Sequence, residues 1–546
     1  MAKTRRRQAS RGFSKAQLYL MAVIVIFGAG LGGLGVILGN FGARNPVRTA
    51  TLQATARLAV ASVSPLNSDS SSWYCNWYLP GQSGLTGATV LLANTSSKEL
   101  TASLKTYAGN TQQVRSLKIP PHSFLRYPET ITPTVQSGAV SFVANGGGTV
   151  AEMEITGQHG TAVSPCNSSP SAGWVALGSN TLSGSASGIS IFNPFGQDAV
   201  VDVSMSSGSQ KFAPGALQGL VIAPYSSNNI DLTQYFSGQS HMAVSVRSRI
   251  GRVVLSGIVQ RNDNGNAGLA ALATFPAAAS QWSFPVGELS TNQNQEILVF
   301  NPNSYSVSVK LEFSYLDLKA VAPSSSATTS TTTADVTTSS NVPDSQLAQR
   351  PQSTGAGYEL TQSVAADSVT TISVKAQTAV QAGHSYQVSL TVAGGFGVVA
   401  ADEYLGSASN PNVGYQVVGG TPLSTQHWIA LYDPSFIGVA NAKAWLATVG
   451  TGGNDPESEK TPLVDLGPTY LAPPGKAPAS LPTAQAQLAH SSSKVLKTPT
   501  HLNSVGALSP SVTGLIVSSR SAFSLGSVMG TTPGDLYVVP VLPFAN

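Results

Sequence analysis

The stretch Ile189-Ser190-Ile191-Phe192-Asn193-Pro194-Phe195-Gly196-Gln197-Asp198-Ala199-Val200-Val201-Asp202-Val203-Ser204-Met205 decides the fold. Ile189 and Ile191 alternate with Ser190, Phe192 leads into Asn193-Pro194, and Val201, Val203 and Met205 alternate with Asp202 and Ser204. Apolar residues at every second position press one face of a strand against a core. Asn-Pro between two such runs marks a turn, so the stretch reads as a β-hairpin. The pattern recurs. Leu298-Val299-Phe300-Asn301-Pro302 precedes Val307-Ser308-Val309-Lys310-Leu311, and Leu91-Leu92-Ala93-Asn94-Thr95 precedes Leu100-Thr101-Ala102-Ser103-Leu104. Ala430-Leu431-Tyr432-Asp433-Pro434 leads into a divergent strand ending Ala444-Trp445-Leu446. Four copies of one strand-rich module are expected.

Working outward, the copies span residues 71–170, 171–278, 279–420 and 421–546. Six or seven short strands in about a hundred residues predict an all-β chain of tandem immunoglobulin-like β-sandwich modules. A β-propeller-like arrangement is the alternative, although its blades are shorter, at about 40–45 residues. Each of the first three copies is expected to close with a hairpin, such as Ala139–Val143 with Thr149–Ile155 around Gly146-Gly147-Gly148. In the fourth, Gly514–Val517 and Ala522–Leu525 are the counterpart. The Ser/Thr/Pro-rich insert 322–357 cannot bury enough apolar surface to order itself, and the Pro/Ala/Ser-rich interval 450–509 is expected to be poorly ordered. Trp77, Trp174, Trp282 and Trp428 precede the recurrent turn in each copy. A Trp repeated at one place is better read as a core plug between two sheets than as a sugar-stacking platform.

The N-terminus predicts a location. Residues 1–17 carry Lys3, Arg5, Arg6, Arg7, Arg11 and Lys15, and these account for the net charge of +4. The pI therefore reports a basic tail, which argues against a nucleic-acid surface. No charge appears from Leu18 to Leu38. At about 1.5 Å per residue, a helix over 18–39 crosses a bilayer core of roughly 30 Å. It is longer than a signal-peptide core, and Ala43-Arg44-Asn45-Pro46 is a poor cleavage site. An uncleaved transmembrane helix is expected, with a cytoplasmic N-terminus, a stalk over 40–70 and the remainder extracytoplasmic. Gly28, Gly32, Gly35 and Gly39 have the spacing that lets two membrane helices approach, so a helix-mediated dimer is one reading. The plainer one is that Gly is common in such spans.

Cys75 and Cys166 bracket the first module and, outside the cytosol, are most simply one disulfide. Catalytic signatures are absent from the text. The seven histidines (122, 159, 241, 384, 427, 490 and 501) show no His-x-x-x-His or His-x-His spacing. No Gly-x-Ser-x-Gly elbow or Walker loop occurs. No metal, cofactor or catalytic residue is expected. Asp402-Glu403 is the most tempting carboxylate pair, but adjacent strand residues face opposite ways. It reads as a solvated strand end. Arg247, Arg249 and Arg252, with Arg261 nearby, could meet an anionic envelope polymer or phospholipid headgroups. The plainer account is a charged hairpin edge that resists edge-to-edge pairing.

The chain resembles a family of membrane-anchored extracytoplasmic proteins of unknown function from actinobacteria. The resemblance is carried by Trp73-Tyr74-Cys75, Pro165-Cys166, Ile191-Phe192-Asn193-Pro194-Phe195, Asp198–Val203, Ala216–Pro224 and Trp282-Ser283-Phe284-Pro285. It covers residues 73 to about 405 best and implies localisation and architecture, with no catalytic residue. The expectation is a non-catalytic structural or adaptor protein of the cell envelope, contacting envelope proteins or cell-wall polymer. A glycan-binding or carbohydrate-active protein is the alternative, and it requires exposed Trp or Tyr beside a groove with paired carboxylates.

Overall fold

The computed structural model describes residues 60–544 except 79–85, 109–110, 130–136, 264–265, 289–293, 316–352, 355–356, 378–384, 394–396, 406–414, 423–424, 432–442 and several stretches between 451 and 540. The basic tail, the helix expected over 18–39 and most of the stalk lie outside the described residues. So does nearly all of the insert 322–357. Among the described residues no helix is long and apolar enough to cross a membrane.

The chain is all-β. The first sheet pair contains β1 (Ser71–Tyr78), β2 (Gly87–Asn94), β3 (Leu100–Ala108), β4 (Thr111–Ile119), β5 (Ser123–Glu129), β6 (Ser137–Ala144), β7 (Thr149–Gly157) and β8 (Gly160–Pro165). The second contains β9 (Gly173–Ser179), β10 (Ala186–Asn193), β11 (Ala199–Ser207), β12 (Gln210–Phe212), β13 (Leu220–Ile222), β14 (Ser226–Asp231), β15 (Met242–Ile250), β16 (Val254–Asp263), β17 (Asn266–Ala271) and β18 (Ala273–Phe275). The third contains β19 (Gln281–Glu288), β20 (Asn294–Asn301), β21 (Val307–Tyr315), β22 (Ser353–Thr354), β23 (Gly357–Val364), β24 (Ser368–Ser373), β25 (Ser385–Ala393), β26 (Val399–Leu405) and β27 (Tyr415–Gly419).

One strand order serves all three. The sheets run β1-β6-β3-β4 and β5-β2-β7-β8, then β12-β11-β15-β9-β18 and β14-β10-β16-β17, then β19-β25-β21-β23-β22 and β24-β20-β26-β27. Within each pair both sheets feed one core: Trp73, Leu104 and Phe142 meet Val90, Leu92 and Val150, and the other two pairs do likewise. This is β-sandwich-like. The first two strands lie in opposite sheets, whereas in the immunoglobulin arrangement they are neighbours.

The hairpin reading of Ile189–Met205 is corrected. β10 pairs with β14 and β16, and β11 with β12, β13 and β15, so the turn between them crosses from one sheet to the other. The expected closing hairpins are also crossings, because β6 and β7 lie in different sheets, as do β15 and β16, and β25 and β26. Alternation reports which face of a strand is buried; it carries no information about which strand lies alongside.

What the Asn does is repeated nearly atom for atom. Asn193 Nδ2 donates to the carbonyls of Gln197, Ile222 and Ala223, at 2.6, 3.0 and 3.2 Å, while its Oδ1 accepts from Phe195 N–H. Asn94 bonds Lys98, Ile119 and Pro120 in the same way, and Asn301 bonds Tyr305, Val364 and Ala365. Each Asn is fully buried and joins its own turn to the turn before the fifth strand. That second turn places His122, Tyr225 and Asp367 at φ 47°, 54° and 50°, the left-handed region that non-glycine residues seldom adopt. The next residue, Ser123, Ser226 or Ser368, closes it through Oγ onto Pro120, Ala223 or Ala365.

The indoles plug the cores, with one reassignment. Trp73 Nε1 donates to Thr149 O, Trp174 to Val253 O and Trp282 to Val398 O, at 3.0, 2.7 and 2.9 Å. Each bond runs from the first strand of one sheet to the start of the seventh strand in the other. Trp73, not Trp77, is therefore the counterpart of Trp174 and Trp282; Trp77 is an additional buried indole on β1. The outgoing segment of each pair returns to its own first strand: Asn167 pairs with Tyr74, Phe275 with Val175 and Thr421 with Ser283. A Cys75–Cys166 disulfide reinforces this return in the first pair.

The fourth region does not repeat the order. Thr425–Leu431, which holds buried Trp428, pairs with the first part of a 17-residue strand, Gly514–Gly530. Lys443–Gly450 pairs with the second part. The hairpin expected within 514–525 is thus one continuous strand; Ser518-Ser519-Arg520-Ser521 holds no Gly or Pro to break it, and its two parts find different partners. The interval 450–509 contributes short strands, including Leu463–Leu466 paired with Ala484–Gln487. Ile429, Leu431 and Leu542 join the core of the first pair. Val63 N–H donates to Pro543 O at 2.8 Å, so residues near both ends of the described chain meet.

Candidate functional site

The junction between the second and third sheet pairs holds a buried ionic cluster. It begins with a register. β20 and β26 are neighbours, and Glu296 lies directly opposite Glu403. Side chains directly opposite one another share a face, and two like charges so placed repel. The second pair supplies the cations. His241, at φ 52° on the entry to β15, brings Nε2 to 2.9 Å from Glu296 Oε2 and 3.1 Å from Glu403 Oε2. Arg261, on β16, brings Nη1 to 3.0 Å from Glu403 Oε1. Its guanidinium also stands 5.5 Å from the centroid of the Tyr415 ring, a cation–π contact.

Burial makes these contacts matter. The Glu403 side chain is 1% exposed and that of Arg261 8%, whereas His241 and Glu296 are partly open at 21% and 16%. Burial by itself lowers the His241 pKa, but the carboxylates of Glu296 and Glu403 outweigh it and raise the imidazole to about 9. The donor atoms of His241, Glu296 and Glu403 all lie within 4.8 Å of one another. One imidazole nitrogen and two carboxylates so arranged can hold a proton on the imidazole or a divalent cation between them. His241 also lines an open cleft of about 480 Å³, bounded by residues 207–210 of the second pair and by Val369 and Thr371 on β24. Lys211–Asp367, at 2.8 Å, flanks the same junction.

The reading of Asp402-Glu403 as a solvated strand end is corrected at Glu403, which β26 turns into the junction. His241 bridges the two carboxylates and Arg261 holds one of them.

The arginines singled out by the sequence separate. Arg247, Arg249 and Arg252 are exposed on the second pair, and Arg261 is buried away from them. Arg249 Nε lies 2.7 Å from Asp202 Oδ2. This bond, with Gly219 N–H on the other oxygen, holds Asp202 below the usual carboxylate range. Arg252 stands over Phe195, 5.6 Å from the ring centroid. Arg247 lies on β15 between Asp202 of β11 and Gly173 of β9, so it does not guard a sheet edge; Arg249 lies past the end of the β9 ladder.

Sequence reasoning missed His241, Glu296 and the role of Glu403. Their positions are separated by 55 and 107 residues, and only the register of β20 on β26 and the docking of two sheet pairs bring them together. A weak signal exists: Glu296 directly precedes the apolar run Ile297–Phe300 and Glu403 follows Val399-Ala400-Ala401 by two positions, in a chain with only 10% charged residues.

No curated protein matches the chain. Residues 144–408, and with them all four members of the cluster, match the model of a family of unknown function, DUF5719.

Proposed function

We propose that this chain is a single-pass, extracytoplasmic structural or adaptor protein of the cell envelope, anchored through residues 18–39 and non-catalytic. The observation that carries the reading is the use of the indoles. Trp73, Trp77, Trp174, Trp282 and Trp428 are each at most 3% exposed. These five indoles fill cores and are not offered to a ligand. The repeated Asn and Ser bonds favour the same reading, since they tie together the turns of three successive sheet pairs. The basic segment 1–17 ahead of the apolar run 18–39 supports a cytoplasmic N-terminus. Gly28, Gly32, Gly35 and Gly39 then supply a face for a second copy, and the exposed Arg247 and Arg252 a contact for anionic envelope polymer.

The test is proximity labelling with the full chain carrying a labelling enzyme at its C-terminus, against the same enzyme on an unrelated membrane anchor. The expected result is a reproducible set of envelope proteins absent from the control. Labelling of cytosolic proteins, or a set identical to the control, overturns the reading.

A further inference from the structure

We propose that His241, Glu296 and Glu403 bind one divalent cation of the zinc class, which clamps the second sheet pair to the third. The geometry points to an ion in three ways. First, ligands of a cation at about 2.0–2.2 Å stand roughly 2.8–3.6 Å apart. His241 Nε2 lies 2.9 and 3.1 Å from the two carboxylate oxygens. Second, His241 Nε2 and Glu403 Oε2 are buried and neither makes a hydrogen bond of acceptable geometry, although they are close. Atoms that converge without aligning are placed for a third body between them. Third, Glu403 is already fixed through its other oxygen by Arg261, the outer contact that orients a metal-bound carboxylate.

The donor set names the class of ion. Calcium and magnesium take oxygen ligands, whereas one imidazole with two carboxylates suits zinc and its neighbours in the first transition row. The side of His241 that faces the cleft offers an entry path. Because the imidazole comes from the second pair and both carboxylates from the third, the ion joins the two. This inference is independent of the adaptor reading, and either can fail alone.

The experiment uses the full chain purified in detergent, stripped with chelator and titrated with zinc. Metal content is measured after gel filtration and affinity by calorimetry. The expected result is one zinc per chain, with at least about tenfold weaker binding in His241→Ala and in Glu296→Gln. Gln210→Ala, in the cleft wall, should keep the full affinity. No retained zinc, or zinc that both variants bind as tightly as the unaltered chain, overturns the proposal and leaves the imidazolium ion pair as sole occupant. Should a variant fail to fold, the unaltered chain loaded with cobalt(II) decides. A visible d–d band that zinc displaces supports the site, and its absence overturns it.

Discussion

The two junctions between successive sheet pairs do the same job with different chemistry. At the first, the groups that the following hydrogen bonds join are neutral. Asn76 Nδ2 donates to Ser190 O and Ser256 Oγ to Asn76 O, at 2.6 and 2.5 Å, and Asn167 Nδ2 reaches Leu255 O at 3.1 Å. Tyr107, Ala139, Phe192 and Val254 pack between them. At the second, Arg261, His241 and Lys211 face Glu403, Glu296 and Asp367 across the boundary. Neutral hydrogen bonds hold their strength across pH and salt. A carboxylate pair with one fully buried member depends on the cations beside it, so the second junction is expected to answer to protons and ions more than the first.

The sharpest way to break the contrast is to remove the cation that Glu403 cannot lose. Arg261→Ala leaves a buried carboxylate with one partner fewer and should destabilise the second junction by about 3–5 kcal/mol. Hydrogen exchange should show early opening of β26 while β1 and β6 stay protected. Next comes pH. The His241 pKa is raised in the fold, so its contribution is complete below the ordinary histidine value and fades as pH rises through about 9. In chelator-treated protein the second junction should lose about 2–3 kcal/mol between pH 6 and 10, and His241→Gln should flatten that slope. The readout must be local, because Glu152 on β7, raised by burial to about 8, gives the first pair a slope of the same sign.

At the neutral junction, Asn76→Ala removes one donor and should cost about 1–3 kcal/mol. The loss should be the same at pH 6 and pH 9, measured by exchange at β1 and β10. A strongly pH-dependent loss there would erase the distinction between the junctions. The smallest effect is expected for Lys211→Ala. Both members of its pair are substantially exposed, so the unfolding midpoint should correspond to less than about 1 kcal/mol. An effect as large as that of Arg261→Ala would show that charge alone, and not burial, governs this boundary.

The comparison also separates what local pattern can tell from what it cannot. The alternating runs around Asn94, Asn193 and Asn301 identify strands and their buried faces. The Asn itself announces a turn, because its side chain can satisfy backbone groups close by. The cysteine pair follows from count and spacing. Misreadings begin wherever the answer depends on a neighbour. A turn after β10 looks the same whether the chain stays in its sheet or crosses to the other, so the hairpin was expected where a crossing occurs. Trp77 lies closer to its turn than Trp73 does, but only the bond from Nε1 to the seventh strand shows which indole repeats.

By itself, then, the amino-acid order determined that this chain is all-β, that one module recurs, and which residues face inward, because alternation and turn chemistry act over a few residues. Tertiary structure alone decided that strands one and two part company, that the fourth region abandons the repeat, and that His241, Arg261, Glu296 and Glu403 share one pocket of charge. Those outcomes arise from register and docking between segments scores of residues apart. Their free energy comes from burying surfaces against each other, and no short window of sequence contains both surfaces.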